Sequence, residues 1–111
     1  MPSFSRTCLR WSLPLLTLAA APAWAQQVLK IGEINSYKAM PAFLEPYKKG
    51  MDLAVEQINA SGGLLGKKVQ LITRDDNGNP GDAVRAAEEL YAREKIDVLT
   101  GSFLSHVGMA L

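Results

Sequence analysis

The feature that most constrains this chain is a change of hydrophobic period, from two to nearly four residues and back, repeated along its length. Val28–Ile34 (VLKIGEI) carries apolar residues at 29, 31 and 34 and reads as a strand. Asn35–Leu44 has no period and contains Pro41, which predicts a loop. Glu45-Pro46 then predicts a helix start, because a proline in the first turn forfeits no hydrogen bond. Tyr47, Met51, Ala54, Val55 and Ile58 recur on one helical face, and Gly62-Gly63 supplies the left-handed residues that end a helix. Lys68–Arg74 alternates as a second strand, and Asp75–Asn79 (DDNGN) is turn chemistry. Asn79-Pro80 predicts an N-cap and first turn, followed by an apolar face of Ala83, Val84, Ala87, Leu90 and Tyr91. Ile96–Thr100 is a third strand, and Ser105 is placed to cap a third helix.

Strands that alternate with helices pair in parallel through right-handed crossovers, so the expected fold class is α/β: a Rossmann-like, parallel three-layer α/β/α unit. The expected order is second, first, third strand. That order puts a topological switch point between the first and third strands, and ligands of such sheets bind in the crevice at the carboxyl ends there. The expected site is therefore built from Asn35–Leu44 and Gly101–His106, whatever the ligand. Three parallel strands leave both edges open, and HVGMAL ends without a stop signal. The expectation is an incomplete unit, the N-terminal part of a longer chain; a complete small protein paired through its edges is the alternative.

The first 25 residues read differently. Arg6 and Arg10 precede an apolar run of ten residues, Trp11–Ala20, and Ala23-Trp24-Ala25 fits a small-residue cleavage pattern. A run of ten is half of the about 20 residues that span a bilayer. The expected organisation is a cleaved signal peptide, residues 1–25, and a mature, exported chain from Gln26, with an uncleaved anchor as the alternative. The net charge of +1 resides in those two arginines, since beyond them acids outnumber bases by one. Such a balance offers no footprint for nucleic acid. Cys8 is the only cysteine, so processing leaves no thiol chemistry.

Ile58–Gly63 (INASGG), the strand ending in Asp75-Asp76, the helix opening from Pro80 to Ala87 and the turn Gly101–Ser105 together resemble the periplasmic leucine/isoleucine/valine-binding protein family. These are solute receptors of ABC transporters, with two α/β lobes that close on a ligand. The resemblance implies the opening part of the first lobe, a periplasmic location, an inner-membrane permease as partner, and a branched-chain or related amino acid as ligand. It further implies that Ser105 donates to the ligand α-carboxylate, with Ser102 and His106 nearby; a purely capping Ser105 is the other reading. Phe43, or else Tyr37, matches the aromatic that relatives lay over the ligand, although packing against the helix would account for either ring. The loop NSYKAMPAFLEP departs from the small, glycine-rich pattern of relatives, and the cysteine pair of some members is missing. The same fold serves as the sensor of receptors for amides or small carboxylic acids, which is the alternative function.

Other motifs fail on spacing. A calcium loop from Asp75 would need Gly and Glu where Pro80 and Ala86 stand. Gly62-Gly63-x-x-Gly66 follows a helix and precedes a strand, the reverse of a phosphate cradle. Gly32-Glu33-Ile34 lacks the other glycines of a dinucleotide fingerprint, and Asn59-Ala60-Ser61 matches a glycosylation acceptor only formally. His106 is the only histidine, without the neighbours of a metal site, and Ser105 has no base. No cofactor, no metal and no enzymatic activity are expected.

Overall fold

The computed structural model describes residues 27–111; the expected signal peptide and its expected cleavage position lie outside the described residues. Strand β1 (Val28–Asn35) is followed by helix α1 (Pro41–Ala60), strand β2 (Lys68–Asp75), helix α2 (Pro80–Glu89), a π-helical turn (Leu90–Glu94), strand β3 (Val98–Gly101) and the short helix α3 (Ser105–Gly108). The sheet order is β2-β1-β3 with both pairings parallel. Glu33 at the centre of the sheet pairs with Thr73 on one side and Thr100 on the other. The expected α/β class and strand order therefore hold.

One face of β1 meets α2. Ile34, Ala83, Ala86, Leu90, Ile96 and Val107 form the buried core there, and Ile34, Ala83, Leu90 and Val107 are fully enclosed. Asn79 caps α2 as its sequence predicts, its side-chain oxygen accepting from the amides of Gly81 and Asp82. A helix start leaves its first amides without partners, and this cap satisfies two of them. The other face of β1 carries Leu29, Ile31, Glu33 and Asn35, and α1 packs chiefly against the neighbouring β2.

Four expectations are corrected, three of them in the helices. Helix α1 starts at Pro41, not at Glu45-Pro46: the Met40 carbonyl already accepts from Phe43 and Leu44, and Pro41 takes the first-turn position. Pro46 sits inside the helix, where the carbonyl it cannot serve belongs to exposed Ala42. The inner face of α1 also differs. Leu44 is buried and Met51, Val55 and Asn59 are half-buried, whereas Tyr47 and Ile58 are 40% and 36% exposed. Asn59 turns inward because its partners are backbone: its amide donates to the Val69 carbonyl and its oxygen accepts from the Val69 N–H, both at 2.8 Å. An edge strand with unpaired backbone is thereby closed locally, and the amide of the formal glycosylation motif is already engaged. Lastly, Ser105 does not cap α3. Leu104 holds the cap position without a side-chain bond, and Ser105 is the first helical residue.

Strand β3 begins at Val98 rather than Ile96, because Ile96 leaves the ladder to fill the core beside Leu90. The chain then turns sharply at Gly101 (φ 117°) and Ser102 (φ 72°). A Cβ at Gly101 would collide with the Ile34 carbonyl, so only glycine fits this turn. No helix among the described residues is long and apolar enough to cross a membrane.

Candidate functional site

A cleft of about 340 Å³ opens at the carboxyl ends of β1 and β3, lined by Asn35, Phe43, Leu44, Tyr47, Gly101, Ser102 and Phe103. All but Tyr47 fall in the two segments named from the strand order. One wall is the first turns of α1, which present Phe43, Leu44 and Tyr47. The opposite wall is the turn after β3. Phe43 and Phe103 stack across the gap, ring centroids 5.8 Å apart and planes 22° from parallel. Offset aromatic pairs of this geometry favour one another by about 1 kcal/mol beyond the area they cover. Both rings stay substantially exposed, 61% and 47%, so they offer an apolar surface rather than a filled core.

Beneath the cleft lies a polar network. Glu33 is 0% exposed. Its Oε1 accepts from Asn35 Nδ2 at 2.8 Å and its Oε2 from Tyr37 Oη at 2.7 Å. Asn35 Oδ1 in turn accepts from the Phe103 N–H at 2.8 Å, beside the backbone bond from Ser102 N–H to the Ile34 carbonyl. The amide orientation of Asn35 follows from its neighbours, since a carboxylate only accepts and the Phe103 N–H only donates. Burial pushes the Glu33 carboxyl above its ordinary value, against the two hydrogen bonds and the positive charge of Lys48 on α1; Asp76 adds a small push upward. Burial and the hydrogen bond to Glu33 also raise the Tyr37 hydroxyl, and Tyr47 is raised by burial and by the Glu33 charge. Nearby, the enclosed Ser36 hydroxyl donates to Asp76 Oδ1 at 2.6 Å, tying the end of β1 to the turn after β2.

The candidates from sequence separate. Phe43 and Ser102 line the cleft, although Phe43 comes from a helix and not from a loop. Tyr37 is half-buried with its hydroxyl on Glu33. The Ser102 hydroxyl leans toward the Leu104 carbonyl at 3.4 Å. Ser105 is exposed at the first position of α3 and is not among the lining residues; His106 is turned away, its Nε2 3.3 Å from the Gly78 carbonyl. Glu33 and Tyr47 lie outside the segments expected to build the site, and Asn35 and Phe103 lie within them without having been singled out. A carboxylate on the same alternating face as Leu29 and Ile31, two and four residues before Asn35 and Tyr37, was the available signal.

No group of three or more His, Cys, Asp or Glu side chains among the described residues is arranged to hold a metal ion. A larger hollow of about 540 Å³ runs along α2, lined by Val84, Ala87, Glu88, Tyr91, Ala92, Ala110 and Leu111. It lies away from the strand ends and lacks their convergent polar groups, so size alone does not make it the site.

A family model described as periplasmic binding protein matches residues 28–111. An amino acid binding protein of Pseudomonas aeruginosa is 39% identical over 67 residues, 60% of this chain and 18% of that protein. The Leu/Ile/Val-binding protein homolog 7 of Brucella abortus is 35% identical over 95 residues, 85% of this chain and 23% of that protein. Among solved structures, the substrate binding protein LivJ of a branched-chain amino acid transporter from Streptococcus pneumoniae, in complex with isoleucine, superposes with a TM-score of 0.70 at 27% identity, covering 76% of this chain and 24% of that one. A solute binding protein of an ABC transporter from R. palustris, in complex with benzoate, gives 0.64 at 33% identity, covering 75% and 23%. The chain thus spans less than a quarter of the length of each of these relatives.

Proposed function

Because the chain belongs to the periplasmic binding protein family, we propose that it contributes one wall of a ligand cleft in an extracytoplasmic receptor that captures a branched-chain or related amino acid for an ABC transporter. The observation that carries this reading is the cleft itself, at the one place on the sheet where the crossovers part and backbone and side chains can converge on a small molecule. Its aromatic and aliphatic lining suits an apolar side chain, with few polar groups to fix the charged end. Phe43 and Ser102 are wall residues in this reading. Ser105, exposed at the start of α3, is the hydroxyl donor to the carboxylate at the rim; Tyr37 and His106 stand outside the first contacts. Location in the periplasm, delivery to an inner-membrane permease and the absence of catalysis belong to the same proposal.

A second ligand class is favoured by the stacked Phe43 and Phe103, which line the cleft and remain substantially exposed. Planar aromatic carboxylates fit such a surface, and the benzoate-bound relative has the same fold. Calorimetric titration of the full-length protein with leucine, isoleucine, valine and benzoate separates the two. The amino-acid reading expects saturable binding of at least one aliphatic amino acid, weakened about tenfold or more by Phe103→Ala. Benzoate alone binding would establish the second class. Binding of neither, by a folded protein, would remove both.

A further inference from the structure

We propose that Glu33 is the positioning residue of the cleft: its two carboxylate oxygens hold Asn35 and Tyr37 and thereby fix the two segments that face each other across it. The inference rests on the ligand-binding reading above but concerns a residue that does not line the cleft. Glu33 is enclosed, and each of its oxygens accepts one side-chain hydrogen bond. Through Tyr37 it holds the segment that leads from β1 into α1. Through Asn35 it reaches the Phe103 N–H, 68 residues later than Asn35, and so the turn after β3.

That turn needs an anchor. Ser102 adopts a positive φ that a side chain disfavours, and such conformations persist only where the surroundings over-determine them. Two bonds do so: Ser102 N–H to the Ile34 carbonyl, and Phe103 N–H to Asn35. The second exists only while Asn35 presents its oxygen outward, an orientation that the Glu33 carboxylate holds together with the Phe103 N–H itself. An apolar residue at 33 would leave the amide free to turn over, placing N–H against N–H. The Phe103 ring, and with it the stack on Phe43, would lose its fixed place. Glu33 therefore acts on the ligand only through other residues.

The test compares Glu33→Leu, Glu33→Gln and Asn35→Asp in the full-length protein, reading amide exchange at Phe103 and the affinities for isoleucine and benzoate. Glutamine keeps an acceptor toward Asn35, so Glu33→Gln should leave both readouts within about threefold of wild type. Glu33→Leu should speed Phe103 exchange and weaken binding, each about tenfold or more. Should Glu33→Leu fail to fold, Asn35→Asp decides. It keeps an acceptor for Phe103 but sets two carboxylates together, so the turn should loosen at neutral pH and recover in acid, where the pair shares a proton. Unchanged Phe103 exchange in the folded leucine variant, or in Asn35→Asp, would overturn the proposal, as would glutamine and leucine being equally damaging. If wild type binds neither of these probes and neither leucine nor valine, the ligand reading fails by itself, and Phe103 exchange still decides the role of Glu33.

Discussion

At the scale of single residues, Glu33 occupies a strand position where an apolar side chain would pack without desolvating a charge. Burial raises its carboxyl above the ordinary value, with the hydrogen bonds from Tyr37 and Asn35 and the charge of Lys48 opposing and Asp76 assisting. The sign of the linkage follows. A carboxyl whose folded value is raised contributes stability that is present in full below its unfolded value and is lost as pH rises through the folded one. Thermal unfolding across pH should therefore show a component that stabilises on acidification, and Glu33→Gln should abolish that component. Its persistence in the glutamine variant would place the titration elsewhere. Asn59 gives a second residue-scale prediction. Asn59→Ala removes both bonds to Val69 and leaves edge backbone unpaired, so it should destabilise by about 1–3 kcal/mol in chemical denaturation. Neither role was legible beforehand. Glu33 interrupts the apolar alternation of Leu29 and Ile31 without naming its partners, and an asparagine near a helix end reads as a terminator.

Elements were legible where local chemistry decides them and blurred where tertiary contacts do. Asn79 and Pro80 mark the start of α2 because capping is a local event, and Gly62-Gly63 mark the end of α1 for the same reason. The start of α1 was misplaced by one turn because two prolines, Pro41 and Pro46, compete for one first-turn position. Only the hydrogen bonds to the Met40 carbonyl distinguish them. Strand β3 was read two residues early, because apolar Ile96 looks like strand but serves the core. The π-helical turn at Leu90–Glu94 had no sequence signature. Its first residue, Leu90, is fully enclosed among Ile34, Ala86 and Ile96, so Leu90→Ala should destabilise by about 2–5 kcal/mol in a denaturant titration. Asn79→Ala, which only uncaps α2, should show about 1 kcal/mol. Equal losses would mean that the core beneath α2 is not where its stability resides.

For the whole molecule, alternation of strands and helices was enough to read the β2-β1-β3 order, because crossover handedness leaves few ways to arrange three parallel strands. From that order the location of the cleft follows without knowledge of any ligand. Its composition does not follow: Phe103 and Tyr47 enter through the angle of α1 and the turn at Gly101-Ser102, which arise from packing. The central claim is that a ligand engages the carboxyl ends of β1 and β3. It is tested most directly by following backbone amide shifts of the full-length protein during titration with isoleucine, and with benzoate in parallel. Saturable shifts concentrated at Asn35, Ser102 and Phe103 are the expected result. Saturable binding that leaves these amides unmoved, and shifts residues such as Val84 and Tyr91 along α2 instead, would contradict it.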